Sequence, residues 1–328
     1  MSPRWNWDFD DHQRRTRTSA PPPGDRARRP RSRRTIATRR AGALALVALV
    51  ALIAATLSGS HARSRAPSAV VRAGTRREPT ATAKADAGVN AGADAWPGTP
   101  AASQQAVSAV LAYTPFVKEG GDRAREIALT FDDGPGPYTP GVLDVLERYR
   151  VHATFFEIGE MLRYFGASTV RELRDGDVIG DHTETHPEMA RLSAHDQHEE
   201  LFEQLARIEL LGGPRPLLFR PPYGSYDATT MHELHELHLL MVLWSVDTED
   251  YLQPGVPVIV QRALAGAHPG AIILMHDAGG TRTQTIAALP LIIRALRARG
   301  FKLVTVPQLL HDDPPPPGQA LPSSLEGD

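Results

Sequence analysis

The stretch EIALTFDDGPGP, Glu126 to Pro137, starts as a strand and ends as a turn. A mostly apolar run leads straight into Asp132 and Asp133, and the Gly-Pro-Gly-Pro that follows cannot continue a ladder or a helix. Two adjacent carboxylates repel each other, so their place at the mouth of an apolar segment calls for a compensating charge. The pattern recurs: candidate strands fall at 126–131, 153–159, 177–181, 217–220, 240–246, 271–275 and 302–306. Between them lie amphipathic stretches at helical period, such as 195–211, with Ser193 as N-cap, and 285–300, closed by Gly300. Strands alternating with helices imply parallel pairing, and about seven such units suit a barrel or an open doubly wound sheet. No G-x-G-x-x-G follows the first strand, which disfavours a dinucleotide domain.

The placement of polar residues favours the barrel. Asp132 and Asp133 follow the first strand, His182 the third, Arg220 closes the fourth, Asp247 follows the fifth, and His276 with Asp277 the sixth. In a β/α barrel these positions converge on the C-terminal rim, where active sites are built. In DHTETHP (181–187), His182 and His186 are four apart, a spacing that lets two imidazoles face one metal. Asp133 completes a two-histidine, one-carboxylate set with coordination positions left open, the form of a catalytic site. Zinc is the default ion, with cobalt, manganese and nickel compatible. On this reading a divalent metal neutralises Asp133 while Asp132 stays ionised as a base. The competing reading, an Asx-type turn in which both carboxylates cap backbone N–H groups, suits DDGPGP alone equally well and loses ground once the histidines are counted.

TFDDG (130–134), HTETHP (182–187), RPPYG (220–224), WSVDTEDY (244–251) and ILMHD (273–277) resemble, in order and spacing, the five motifs of the polysaccharide deacetylases of the NodB homology type, carbohydrate esterase family 4. The resemblance spans about residues 113–311. It implies a distorted (β/α) barrel of seven or eight strands and hydrolysis of acetyl groups on a polysaccharide. By the same resemblance Asp132 is the base, and Asp133, His182 and His186 are the metal ligands. Arg220 pairs with Asp132, and the Tyr223 backbone N–H helps stabilise the oxyanion. His276 is the general acid oriented by Asp250, while Trp244 and Leu274 line the slot for the acetyl methyl. Two departures stand out: Tyr251 sits where tryptophan is common, and Asp247 competes with Asp250 for His276. The implied substrates are peptidoglycan first, then chitin-like oligosaccharide, with acetylxylan-type esters or a silent glycan-binding role as alternatives.

Outside these motifs the chain changes character. Residues 1–40 hold twelve arginines against four aspartates, in a protein of net charge −2, so the remainder is acidic and a nucleic-acid partner is disfavoured. The absence of cysteine excludes disulfides, thiolate metal sites and a cysteine nucleophile. Residues 41–60 are apolar for about the length of a bilayer crossing, and the arginine flank places the N-terminus on the cytoplasmic side. An uncleaved anchor in the cytoplasmic membrane is favoured over a cleaved export signal, because the preceding charged region is long. Residues 61–112, rich in Ala, Thr, Gly, Pro and Arg, read as a disordered linker, and 312–328 as a disordered tail. The histidines of 195–198 and His232, His235 and His238 read as solvated helix faces.

Overall fold

A computed structural model of the protein describes residues 98–319. The segment 41–60, the linker up to residue 97 and the end of the tail lie outside the described residues; among those described, no helix is long and apolar enough to cross a membrane.

The chain runs through α1 (Pro100–Leu111), β1 (Phe116–Val117), β2 (Glu126–Gly134), α2 (Thr139–Tyr149), β3 (Thr154–Glu157), α3 (Gly159–Asp175), β4 (Val178–Asp181) and α4 (Ala194–Leu210). It continues through β5 (Leu218–Phe219), α5 (Ala228–Leu237), β6 (Leu240–Val242), β7 (Val246–Asp247), α6 (Val256–Ala265), β8 (Ile272–His276), α7 (Thr283–Ala298), β9 (Lys302–Val304) and α8 (Val306–Asp312). The strands form one sheet in the order β1-β6-β5-β4-β3-β2-β8-β7, with β9 beside β2, every pair parallel.

That order forces the sheet to curl. Between β6 and β7 the path crosses six interstrand spacings, about 29 Å if flat. The chain joining them, Leu243 to Ser245, reaches roughly 14 Å at full extension. The result is an incomplete parallel barrel whose ends meet through the chain itself rather than through a ladder. The expected strand over 240–246 is therefore two short strands. The carbonyls of Val242 and Leu243 turn to the Arg220 guanidinium, at 3.0 and 3.2 Å, instead of to a neighbouring strand.

Strand alternation sorts the core. On β2, Ile127, Leu129 and Phe131 face the helices, where Phe131 stacks on Phe155 at 5.2 Å between centroids. Ala128 joins the opposite cluster with Ile272, Phe156, Leu218 and Leu240. Further up this inner face stand Thr130 and Asp132 on β2, and Leu274 and His276 on β8. The interior thus passes from apolar to polar toward the strand C-termini.

Two expected bounds move. Composition places Pro100–Leu111 in the linker, but it forms a helix capped by the Thr99 side chain, with Ala106 buried and Val107 and Val110 packed into the inner cluster with Leu309 and Leu310 of α8. A small apolar stripe in an alanine-rich segment suffices when a partner helix is supplied from the far end of the chain. The expected tail also begins folded: Asp313, 1% exposed, accepts the backbone N–H groups of Arg123 and Ala124 and pairs with the Arg123 side chain. Helix α4 begins where expected, with the Ser193 hydroxyl accepting the Asp196 N–H.

Candidate active site

In a regular strand Asp132 and Asp133 would point to opposite faces. Here the register of β2 against β3 shifts between Asp132 and Gly134, and Asp133 has φ of 71°. The bulge turns Asp133 back toward the rim that Asp132 already faces, a use of bulges that re-aims a side chain. This conformation is part of a pattern. Among the described residues eight non-glycine positions have left-handed φ; Arg150 and His238 cap helices, and the other six, Asp133, Thr183, His186, Tyr223, Glu249 and Gln253, lie in or beside the strand-end segments of the site. Strain of this kind concentrates where geometry serves chemistry.

Each aspartate has its own partners. Asp132 Oδ1 accepts a hydrogen bond from Arg220 Nη1 at 2.7 Å. The guanidinium, 0% exposed, also donates to the Thr130 hydroxyl at 2.9 Å and lies over the Phe156 ring at 4.1 Å. Asp133 Oδ1 lies 3.2 Å from His186 Nε2 and 3.7 Å from His182 Nε2. Burial would raise the Asp133 pKa, but His186, His276 and His182 hold the carboxyl well below the ordinary range. On its other side Gly279 packs so closely that a Cβ there would come within 2.1 Å of Asp133 Oδ2, and Arg282 Nη2 stands 3.9 Å from that oxygen.

Each histidine has a partner at Nδ1. His182 Nδ1 lies 2.7 Å from the Arg220 carbonyl oxygen, which only accepts, so the Nδ1 proton is fixed there and Nε2 presents a lone pair. Burial lowers the His182 pKa to about 4, keeping the ring neutral. The Tyr223 hydroxyl lies 3.1 Å from His186 Nδ1, and the two rings meet edge to face. The loop between them is pinned by Glu200, which accepts the Thr185 N–H and hydroxyl. Asp133, His182 and His186 thus bring one ligand atom each within 4.8 Å of one another. Two imidazole nitrogens and a carboxylate oxygen are a donor set that fits a divalent cation.

Across the rim, His276 Nδ1–H donates to Asp250 Oδ1 at 2.7 Å. The carboxylate in contact with His276 is Asp250; Asp247 instead accepts the Glu249 N–H at 2.7 Å. Burial alone would lower the His276 pKa, yet the Asp250 charge and hydrogen bond push it up to about 9. The Tyr251 ring meets His276 edge-on at 5.4 Å. Leu274 lies on the inner face of β8 below His276, and the Trp244 ring flanks the Arg220 guanidinium at 5.7 Å. Sequence reasoning missed Thr130, Arg282 and Thr285. Thr130 was findable, two residues before Asp132 on the same face; Arg282 sits past a glycine pair where no periodicity applies, and Thr285 is a polar residue at the start of a helical stretch. The discounted histidines are exposed: His195 lies near Glu199 and His198 near Glu233, and neither belongs to a three-ligand cluster among the described residues.

The family model for polysaccharide deacetylase matches residues 119–242. A chitooligosaccharide deacetylase of Bradyrhizobium is 38% identical over 198 residues, covering 56% of this chain and 90% of the relative. Other curated relatives are longer, and the chain spans 38–39% of their length. The crystal structure of a peptidoglycan N-acetylglucosamine deacetylase is 34% identical with a TM-score of 0.59, covering 62% of this chain and 95% of its own. A Bacillus anthracis protein described as a family 4 pseudoenzyme is 29% identical with a TM-score of 0.57, over 60% of this chain and 69% of its own. With 90% of a 38%-identical relative covered, the chain belongs to the polysaccharide deacetylase family, whose solved members include the carbohydrate esterase family 4 enzymes.

Proposed function

We propose that the protein is a metal-dependent hydrolase that removes N-acetyl groups from N-acetylglucosamine units of an extracytoplasmic glycan, with peptidoglycan the leading substrate. The observation that carries this reading is the division of the aspartate pair: Asp132 bonded to Arg220, Asp133 facing two histidines, and the His276–Asp250 pair opposite. The related pseudoenzyme makes clear that the fold alone does not guarantee chemistry, so the reading rests on these side chains.

Amide hydrolysis needs an activated water, a stabilised oxyanion and a protonated leaving nitrogen. A divalent cation held by Asp133, His182 and His186, with zinc the default, supplies Lewis-acid polarisation. Asp132, held by Arg220, accepts the proton of the attacking water. The Tyr223 backbone N–H contributes to the oxyanion site. His276, its Nδ1 proton tied to Asp250, donates from Nε2 to the departing amine. Leu274 and Trp244 shape the space for the acetyl methyl. The apolar 41–60 segment and its arginine-rich flank support a catalytic domain tethered outside the cytoplasmic membrane.

The test is acetate release measured side by side on peptidoglycan, N-acetyl-chitooligosaccharides and acetylxylan. Release from the first two supports the proposal, release from acetylxylan alone replaces it with an O-acetyl esterase, and release from none leaves a glycan-binding protein.

A further inference from the structure

Asp250 sits at the start of a short turn that enters and leaves through left-handed residues, Glu249 with φ of 46° and Gln253 with φ of 53°. Arg262 of α6 pairs with Glu249 at 2.7 Å on one side of it, and the first turn of α7 supports the other. Gln284 Oε1 accepts the Gly255 N–H at 2.7 Å, and the Thr285 hydroxyl donates to Asp250 Oδ2 at 2.6 Å. The same oxygen takes the His276 backbone N–H at 3.0 Å, while Oδ1 takes the His276 ring. Thr248 offers no equal substitute. Its hydroxyl has one proton, and the Leu274 carbonyl at 2.9 Å is a nearer acceptor than Asp250 Oδ1 at 3.4 Å. Thr285 is 1% exposed, so its hydroxyl has little access to water.

We propose that Thr285 is a positioning residue for the general acid: its hydroxyl fixes the Asp250 carboxylate against α7 and so sets both the aim and the proton affinity of His276. The role in catalysis rests on the deacetylase reading above; the effect on His276 does not. The sign follows from the chemistry. A proton donated to Oδ2 offsets part of the Asp250 charge, and without it the carboxylate holds the imidazolium more firmly. The other groups around His276 are Asp133 from β2, Asp247 from β7, Arg282 ahead of α7 and the Tyr251 ring; none of them is bonded to Thr285.

Thr285→Val is close to isosteric and removes only the donor; Thr285→Ser keeps the donor. The experiment is a titration of the histidine rings by NMR in metal-loaded wild type, T285V and T285S, with kcat and KM followed against pH on an N-acetyl-chitooligosaccharide. His276 is expected to titrate at higher pH in T285V and at the wild-type pH in T285S. In T285V kcat falls roughly 10-fold, a fraction of the 10²–10⁴ typical of general acid catalysis, with KM little changed. T285A, which cannot clash, shows the same titration if T285V folds poorly. His276 titrating alike in wild type and T285V, or T285S matching T285V, overturns the proposal. Because the titration needs no turnover, a wild type that releases no acetate counts against the deacetylase reading and not against Thr285.

Discussion

Arg220 Nη1 and Asp132 Oδ1 are 2.7 Å apart in a site where the Arg220 side chain is 0% exposed and the Asp132 side chain 5%. The guanidinium also bonds Thr130 and the Val242 and Leu243 carbonyls, with the Phe156 ring beneath it. Breaking such a pair by removing one member typically costs 3–5 kcal/mol, because the other charge stays buried. Arg220→Met is therefore expected to lower stability by about 3–5 kcal/mol, while R220M combined with D132N loses less than the sum of the two single changes. Urea unfolding of the four proteins measures the coupling; strict additivity would refute it.

On the proposed mechanism, Asp132→Asn removes the base and leaves the three proposed metal ligands intact. Acetate release should drop by about 10²–10⁴-fold with metal still bound. His182→Ala should lose both. Metal content by elemental analysis beside the activity assay separates the two, and a fully active D132N would overturn the assignment of the base.

Chelation should inactivate the enzyme, and added divalent metal should restore it. Gly279→Ala should mimic chelation, since its Cβ would stand 2.1 Å from Asp133 Oδ2 at a position with φ of 71°. A chelator-resistant wild type would rule out the metal mechanism.

The His276 pKa of about 9 lies above the ordinary 6.5, because the Asp250 interaction outweighs the opposing effect of burial. The stabilisation, about 3 kcal/mol, is fully present below pH 6.5 and is lost as pH rises through about 9. Turnover should decline over the same alkaline range, as the acid loses its proton. In Asp250→Asn both effects should move to lower pH, which a kcat profile and a series of melting curves would detect.

Two buried acids push stability the same way with pH, over a lower range. Glu157 and Glu172 are 0% exposed and their carboxyls bond each other, while the Thr169 hydroxyl donates to Glu157 Oε1 at 2.8 Å. Burial pushes Glu157 up to about 7 and Glu172 well above the ordinary range. The folded state holds protons that the unfolded chain releases near pH 4.5, so stability should fall as pH rises from there through 7. Glu157→Gln or Glu172→Gln should flatten that slope; denaturation midpoints at pH 5 and 8 decide it.

Much of the site was legible because the residues that do chemistry follow apolar runs, and strand ends on one rim converge. What escaped reading was orientation. Asp133 faces the histidines only because of a bulge, and no composition rule announces one. Val246 and Leu240 read as parts of one strand because the Arg220 side chain, which takes the intervening carbonyls, acts from 20 or more positions away in the chain. Thr285 and Glu172 have the look of ordinary polar helix residues, and hydrophobic period alone does not tell an inward hydroxyl or carboxyl from an outward one. The Ala-rich Pro100–Leu111 helix looked unfoldable because its partner, α8, lies about 200 residues downstream.

That last pairing sets practical limits on trimming the protein. A version started at residue 113 would strip the cover from Leu309 and Leu310 and leave bare apolar surface where α1 now packs. One stopped at 311 would discard Asp313, to which Arg123 and the Ala124 N–H are tied. A soluble catalytic fragment should begin ahead of Thr99 and run past Gln319, whose side chain still bonds the backbone of Lys118 and Glu119.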